Sequence, residues 1–309
     1  MFARPSRFLS VAVVAVLAAA CSATTSPAPP SSSLPPGAGP SASAVPSSDP
    51  SVPPAGLLLK VTSEGGFINP VATLAALPIV TVYADGKIMT PAPIPASDPG
   101  PLLAGLNVRD VGPEGARKIL AAIRTVGLDK PATAGPGIPG DAGADVFMAV
   151  IDGVATTSRF SGGGPGGPGV GVGGIVGAGD SGDPERAAAL DLLNRLMDPA
   201  ETWGATSAPE AAYTPSGYRI FVAPVSAQPD PSAGPTPVRW PLATPLDAFG
   251  TPAVPDRGIA GLRQGVALGA DADTLIPVFQ AATTLTTFTS AGKSYTLYVR
   301  PLLPDEAGS

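Results

Sequence analysis

The sequence predicts an α+β protein with a mainly antiparallel sheet and about three helices. Two hairpin signals support this prediction, because Asp85-Gly86 and Asp152-Gly153 each stand between two runs of strand-forming residues. An Asp-Gly pair in that position is typical of a tight β-hairpin, in which both turn residues need positive φ. Segments with helical spacing lie between the strands, and the strand–helix–strand spacing that builds a parallel sheet is scarce.

The elements of the first half begin at Gly56. The first strand is predicted over residues 57–62, and the first hairpin joins the runs 79–83 and 88–90. A helix is predicted from Pro113, because apolar residues recur at three- and four-residue spacing up to a glycine that stands at the C-terminal cap position. The second hairpin follows over residues 145–160.

The second half contains two further helices. One is predicted to begin with Asp183-Pro184 and to end before Pro199. The other is predicted over residues 274–285 with Asp273 as its N-cap, which places Pro277 at a helical position where its missing N–H is tolerated. Three strands complete this half, at residues 218–223, 265–268 and 294–300.

Four regions are predicted along the chain. Residues 1–20 form a signal peptide and residues 21–55 a tether. Residues 56–200 form a first α+β domain, which carries a glycine-rich loop at 161–182. Residues 201–309 form a second α+β region, either separate or part of the same domain, with the proline-rich stretch near 200–215 as the candidate boundary.

The N-terminus predicts a bacterial lipoprotein. Arg4 and Arg7 precede a short apolar run that ends in three alanines, and Cys21 follows them directly. The segment 17–21 resembles a lipobox, which implies cleavage before Cys21 and a lipid attached to its sulfur. Cys21 is the single cysteine of the chain, so no disulfide within the chain competes for it. The expected location is the cell membrane, where acylated Cys21 inserts into lipid on the extracytoplasmic face.

The tether separates this anchor from the rest of the chain. Between Ser22 and Ala55 the sequence has ten prolines, many small polar residues and one charged residue, Asp49. Such a composition offers almost nothing apolar to bury, which predicts a disordered, extended stalk.

The composition of the whole chain narrows the functional classes. The formal net charge is −6 and the chain has no histidine. An acidic chain is a poor partner for nucleic acid, which we therefore do not expect to bind. The lack of histidine removes the commonest general base and metal ligand, so no cofactor and no metal is expected. An enzyme of this composition would depend on carboxylates, serine or lysine.

Three motif-like patterns have simpler explanations. Glycines 169–174 match G-x-G-x-x-G, but no strand stands immediately before them, as dinucleotide binding requires. Ser290 and Lys293 match S-x-x-K, but Gly292 between them favours a turn, whereas the catalytic motif of penicillin-binding proteins needs a helix. Asp271 and Asp273 lack the further ligands of a calcium loop and are predicted to cap a helix.

Several short segments of the sequence resemble a family of uncharacterised secreted or lipid-anchored proteins from high-GC bacteria. They are residues 64–67, residues 81–87, the Gly127-Leu128 helix end, residues 239–242 and the terminal segment 299–306. The resemblance spans most of the chain after the tether and implies no catalytic residues. A weaker resemblance covers residues 57–198. Its Gly-Gly-Phe, helix end, hairpin and final helix are similar to emfourin-type inhibitors of thermolysin-like metalloproteases.

The leading functional prediction is a non-catalytic binding or envelope-associated lipoprotein, whose partner is an unknown protein or small molecule in addition to membrane lipid. No catalytic residues are predicted. Inhibition of a metalloprotease by the first domain is one alternative. A hydrolase that works through two facing carboxylates is another.

Overall fold

The computed structural model describes a large part of the chain after the tether. The described residues are 56–64, 73, 75–94, 99–130, 143–161, 184–198, 200–201, 203, 209–225, 237–253 and 259–307. The predicted signal peptide, Cys21, the tether and nearly all of the glycine-rich loop lie outside them. The elements below belong to one compact unit, Ser48–Ser309. The described residues form three helices and two mostly antiparallel sheets, which confirms the α+β class.

The first sheet has seven strands and carries two helices on one face. Its strands are β1 (Leu57–Glu64), β2 (Val80–Tyr83), β3 (Lys87–Pro91), β4 (Leu106–Asp110), β5 (Ala144–Ile151), β6 (Val154–Ser161) and β7 (Ala211–Ala212). They lie in the order β6-β5-β1-β2-β3-β4-β7, and all neighbours are antiparallel. The helices are α1 (Gly112–Val126) and α2 (Pro184–Met197). Ile119 of α1 and Leu193 of α2 are fully buried in one cluster with Val61 and Phe147 of the sheet.

Both predicted hairpins of this sheet are present, but their turns differ. Asp152 and Gly153 have φ of 51° and 78° and form the expected two-residue turn between β5 and β6. In the first hairpin only Gly86 has positive φ, at 95°. There the loop contains a third residue, Ala84, so Asp85 keeps an ordinary conformation. Its carboxylate accepts a hydrogen bond from the backbone N–H of Lys87.

The second sheet has six strands and packs against the third helix. Its strands are β8 (Gly217–Pro224), β9 (Val238–Arg239), β10 (Thr251–Pro252), β11 (Arg263–Leu268), β12 (Thr287–Ser290) and β13 (Lys293–Pro301). They lie in the order β10-β11-β8-β13-β12-β9, and only β9 and β12 pair in parallel. The helix is α3 (Gly269–Ala281). Its Leu275 and Phe279 are fully buried with Ile220 and Leu297 of the sheet.

The predicted start of α3 was wrong. The helix begins at Gly269, five residues before the predicted position, and its N-cap Leu268 makes no side-chain capping bond. Gly269 has φ of 52°, which lets the chain turn from β11 directly into the helix. Pro277 therefore lies inside the helix. Burial of the apolar face compensates for the backbone bond that proline cannot make.

The C-terminal segment joins the second sheet to the first. After β13, a short 3₁₀ turn (Pro304–Glu306) places Asp305 against the first sheet. The two oxygens of the Asp305 carboxylate accept hydrogen bonds from Lys60 Nζ and Tyr83 Oη, both at 2.7 Å. Arg300 holds the same turn by two hydrogen bonds to the Glu306 carboxylate, at 2.6 and 2.7 Å.

Candidate ligand pocket

A pocket of about 500 Å³ opens at one end of strands β8, β11 and β13 of the second sheet. The antiparallel pairing brings the end of β8 beside the starts of β11 and β13 there, since Arg263 pairs with Val222 and Tyr295 pairs with Pro224. The remaining wall comes from connecting segments. The pocket lining is Pro224, Val225, Asp247, Gly261, Arg263, Gly292, Lys293, Ser294 and Tyr295.

Lys293 and Asp247 form one side of the pocket as an ion pair. The distance from Lys293 Nζ to Asp247 Oδ2 is 3.0 Å. The hydrogen bond from Lys293 to Asp247, together with the negative charge of that aspartate, raises the pKa of Lys293. The pair is largely exposed, so it contributes little to stability. Its geometry leaves Asp247 Oδ1 without a hydrogen bond among the described residues.

The S-x-x-K pattern belongs to the turn that presents Lys293. Ala291 and Gly292 have φ of 49° and 74° and connect β12 to β13. Ser290 Oγ accepts a hydrogen bond from the backbone N–H of Leu246 at 3.0 Å. The serine therefore fixes the loop that carries Asp247, and the structure confirms the predicted turn.

Arg263 also lines the pocket, and two backbone carbonyls hold its side chain. Its Nε donates to the carbonyl of Phe249 at 3.0 Å, and its Nη2 donates to the carbonyl of Gly250 at 2.8 Å. A Cβ at Gly250 would lie 2.0 Å from the carbonyl oxygen of Gln264, so only glycine allows this close approach. Nη1 makes no hydrogen bond within the described residues, which leaves its two N–H groups available to a ligand.

Tyr295 supplies a buried hydroxyl without a partner. The residue is only 3% exposed, and its hydroxyl makes no hydrogen bond among the described residues. Burial raises the pKa of Tyr295, the charge of Asp247 raises it further, and Lys293 opposes this effect. The hydroxyl therefore stays protonated at neutral pH. Buried hydroxyls nearly always have a partner, so this one is an unused donor and acceptor beside the pocket.

The described residues that line the pocket carry a net positive charge, although the chain as a whole is acidic. Arg263 and Lys293 contribute two positive charges, and Asp247 is the one carboxylate among these described residues. The site can hold an anionic group next to a hydroxyl. Its described lining does not contain the pair of carboxylates that a hydrolase of the predicted kind needs. Within the described residues, no group of three or more His, Cys, Asp or Glu side chains could hold a metal ion.

The other acidic residues singled out in the sequence do not join this pocket. Asp85 and Asp152 lie in hairpin turns, and the carboxylate of Asp152 is 3.2 Å from Arg124. Asp271 and Asp273 are exposed on α3 and do not line the pocket. Sequence reasoning missed Asp247, Arg263 and Tyr295 as site residues. The one feature of the sequence that could have pointed to these residues is the presence of glycines near them.

A second pocket of about 440 Å³ has a different character. Most of its lining is apolar, with Leu103 and Leu106 on one side and Ile276 and Phe279 of α3 on another. Tyr213 and Tyr218 also line it, and burial raises the pKa of each of these tyrosines. Its lining contains no charged residue among the described ones, so it offers few polar contacts to orient a ligand.

Comparisons with protein-family models, with curated proteins and with solved structures find no match to this chain. None of the helices in the described ranges is long and apolar enough to cross a bilayer.

Proposed function

We propose that this protein is a lipid-anchored, extracytoplasmic binding protein whose ligand is a small polar molecule held in the pocket of the second sheet. The observation that carries the proposal is the buried Tyr295 hydroxyl, which has no partner among the described residues and belongs to a residue that lines the same pocket as the fixed Arg263. A buried polar group without a partner costs about 1–3 kcal/mol, and a bound ligand would remove that cost.

The dimensions and the rigidity of the pocket support binding. Its volume of about 500 Å³ is within the range of small-molecule sites, roughly 300–1,000 Å³. Two backbone carbonyls orient Arg263 before any ligand arrives. Such preorganisation strengthens binding, because little side-chain freedom is lost in the complex.

The proposed anchor adds a location to this binding activity. The lipobox-like segment and the proline-rich tether together would hold the pocket some distance from the lipid surface. Cys21→Ala should release the protein from the membrane fraction or leave it unprocessed. Arg263→Gln is the matched control and should stay in the membrane fraction. A Cys21→Ala protein that is cleaved normally and still sediments with membranes would contradict the anchoring proposal.

A ligand screen tests the binding activity. The full chain, purified in detergent, is screened by thermal shift against small sugars, amino acids and organic acids, and each compound that stabilises it is measured by calorimetry. Tyr295→Phe should weaken such a ligand by about tenfold, which corresponds to one lost hydrogen bond. Tyr298→Phe, on the same strand but outside the pocket lining, should leave binding unchanged. Equal effects of the two substitutions would refute the assignment of the pocket.

A further inference from the structure

We infer that the ligand of this pocket is a hydroxylated organic acid, such as a sugar acid, with its carboxylate directed to Arg263 and Lys293. This inference depends on the proposed binding function and adds the chemical class of the ligand. Three polar features of the pocket lead to it. They are a fixed arginine, an ion pair whose aspartate has one oxygen without a hydrogen bond among the described residues, and a tyrosine hydroxyl that likewise has none there.

The arginine and the lysine favour a carboxylate. Arg263 uses one edge of its guanidinium for backbone carbonyls, which leaves Nη1 for an external acceptor. Lys293 Nζ has three donors, and its hydrogen bond to Asp247 uses one of them. The described part of the lining carries two positive charges and one negative charge, so one anionic group neutralises it.

The aspartate and the tyrosine favour hydroxyl groups beside that carboxylate. Asp247 Oδ1 is an acceptor without a hydrogen bond among the described residues, so it matches a hydroxyl donor of the ligand. The Tyr295 hydroxyl can donate to a ring or hydroxyl oxygen. The second negative charge of hydrogen phosphate would face repulsion from Asp247, which disfavours inorganic phosphate.

Four probes separate these contributions in calorimetry on the full chain in detergent. They are D-glucuronate, D-glucuronamide, D-glucose and inorganic phosphate. Glucuronate should bind at least about tenfold more tightly than each of the other three, because hydrogen bonds to a charged group are the stronger ones. Added salt should weaken binding of glucuronate more than binding of the amide, since exposed charges are screened.

Substitutions then assign the contacts. Lys293 is exposed, so Lys293→Gln should keep the fold. It should weaken the binding of glucuronate by about five- to tenfold. Arg263→Gln should weaken the binding of glucuronate by at least tenfold. The melting temperature of this variant shows whether the loop at Gly250 is retained. Tyr295→Phe should weaken the binding of glucuronamide and of glucuronate to a similar degree, because the contact of the tyrosine hydroxyl does not need the charge of the carboxylate. Arg159→Gln removes an exposed arginine elsewhere and should change nothing.

The outcomes distinguish the ligand class from the binding function. If glucuronamide or glucose binds as tightly as glucuronate, the inference of an acid is wrong, although the proposed binding function stands. If glucuronate does not bind, or if Lys293→Gln and Arg263→Gln leave its affinity unchanged, the inference is also wrong. The binding function itself is refuted only when no compound of the wider screen depends on Tyr295.

Discussion

The buried guanidinium of Arg109 should stabilise the fold by capping the end of α2. Arg109 lies in β4 and is only 5% exposed. Its Nη1 donates to the carbonyls of Asp198 at 2.5 Å and Glu201 at 2.6 Å, and its Nη2 donates to the carbonyl of Leu196 at 2.8 Å. The last carbonyls of a helix have no partner within the helix, so the arginine supplies donors that this end lacks.

Arg109→Met tests this role, because methionine retains much of the apolar stem and removes the donors. Three carbonyls then lose a hydrogen bond worth about 1 kcal/mol each, so the free energy of unfolding should fall by about 3 kcal/mol. That loss is a large part of the roughly 5–15 kcal/mol of a typical protein. Arg109→Lys should lose less, since an ammonium keeps the charge but cannot reach all three acceptors.

Urea unfolding at neutral pH, followed by circular dichroism, measures the effect of Arg109→Met. Arg159→Met is the matched control: this exposed arginine pairs with Glu64 at 2.6 Å, and its loss should cost less than about 1 kcal/mol. If Arg109→Met destabilises the protein no more than Arg159→Met does, the capping role assigned to Arg109 is wrong.

Two further predictions concern pH. Burial raises the pKa of Asp145, although Arg186 opposes this effect. The folded state therefore holds this proton more tightly, and the stability contributed by Asp145 falls as pH rises above the unfolded pKa of about 4. Asp145→Asn should remove this decline in urea titrations from pH 4 to 8, and an unchanged profile would contradict the assignment. Burial alone would raise the pKa of Glu306, but the hydrogen bonds and charge of Arg300 lower it. Its contribution is thus present at neutral pH and lost as pH falls through the folded pKa. Glu306→Gln should cost about 2 kcal/mol at pH 7 and almost nothing near pH 2, and a cost that does not depend on pH would argue against the ion pair.

Local signals were sufficient for most of the elements. The second hairpin follows from Asp152-Gly153, because that turn requires two residues that tolerate positive φ, and both have it. Helix α1 follows from its apolar spacing and from Gly127, whose φ of 86° closes the helix as predicted. Where a backbone conformation depends on one or two residues, the sequence alone predicts it.

Long-range contacts determine the elements that were missed. Strand β4 contains Arg109, and an arginine is expected at the surface when only the sequence is known. Its burial depends on the backbone carbonyls at the end of α2. Strand β12 is short and rich in threonine, and its parallel pairing with β9 joins Phe288 to Val238, which lie far apart in sequence. Helix α3 buries Leu275 and Phe279 under the second sheet and begins five residues before the position that its local pattern predicts. None of these features leaves a local signal.

The candidate pocket shows why its site residues could not be recognised from the sequence. Asp247 and Lys293 are 46 residues apart, and only the hairpin turn at Ala291-Gly292 brings the lysine back to the aspartate. Arg263 owes its orientation to the carbonyl of Gly250, which approaches β11 because glycine has no side chain. The glycines that read as turn residues in the sequence therefore build the pocket, and they carry no ligand chemistry themselves. A search for catalytic motifs does not find such a pocket, because its polar side chains are common charged residues that form no sequence motif. Their positions depend on the conformation of the backbone.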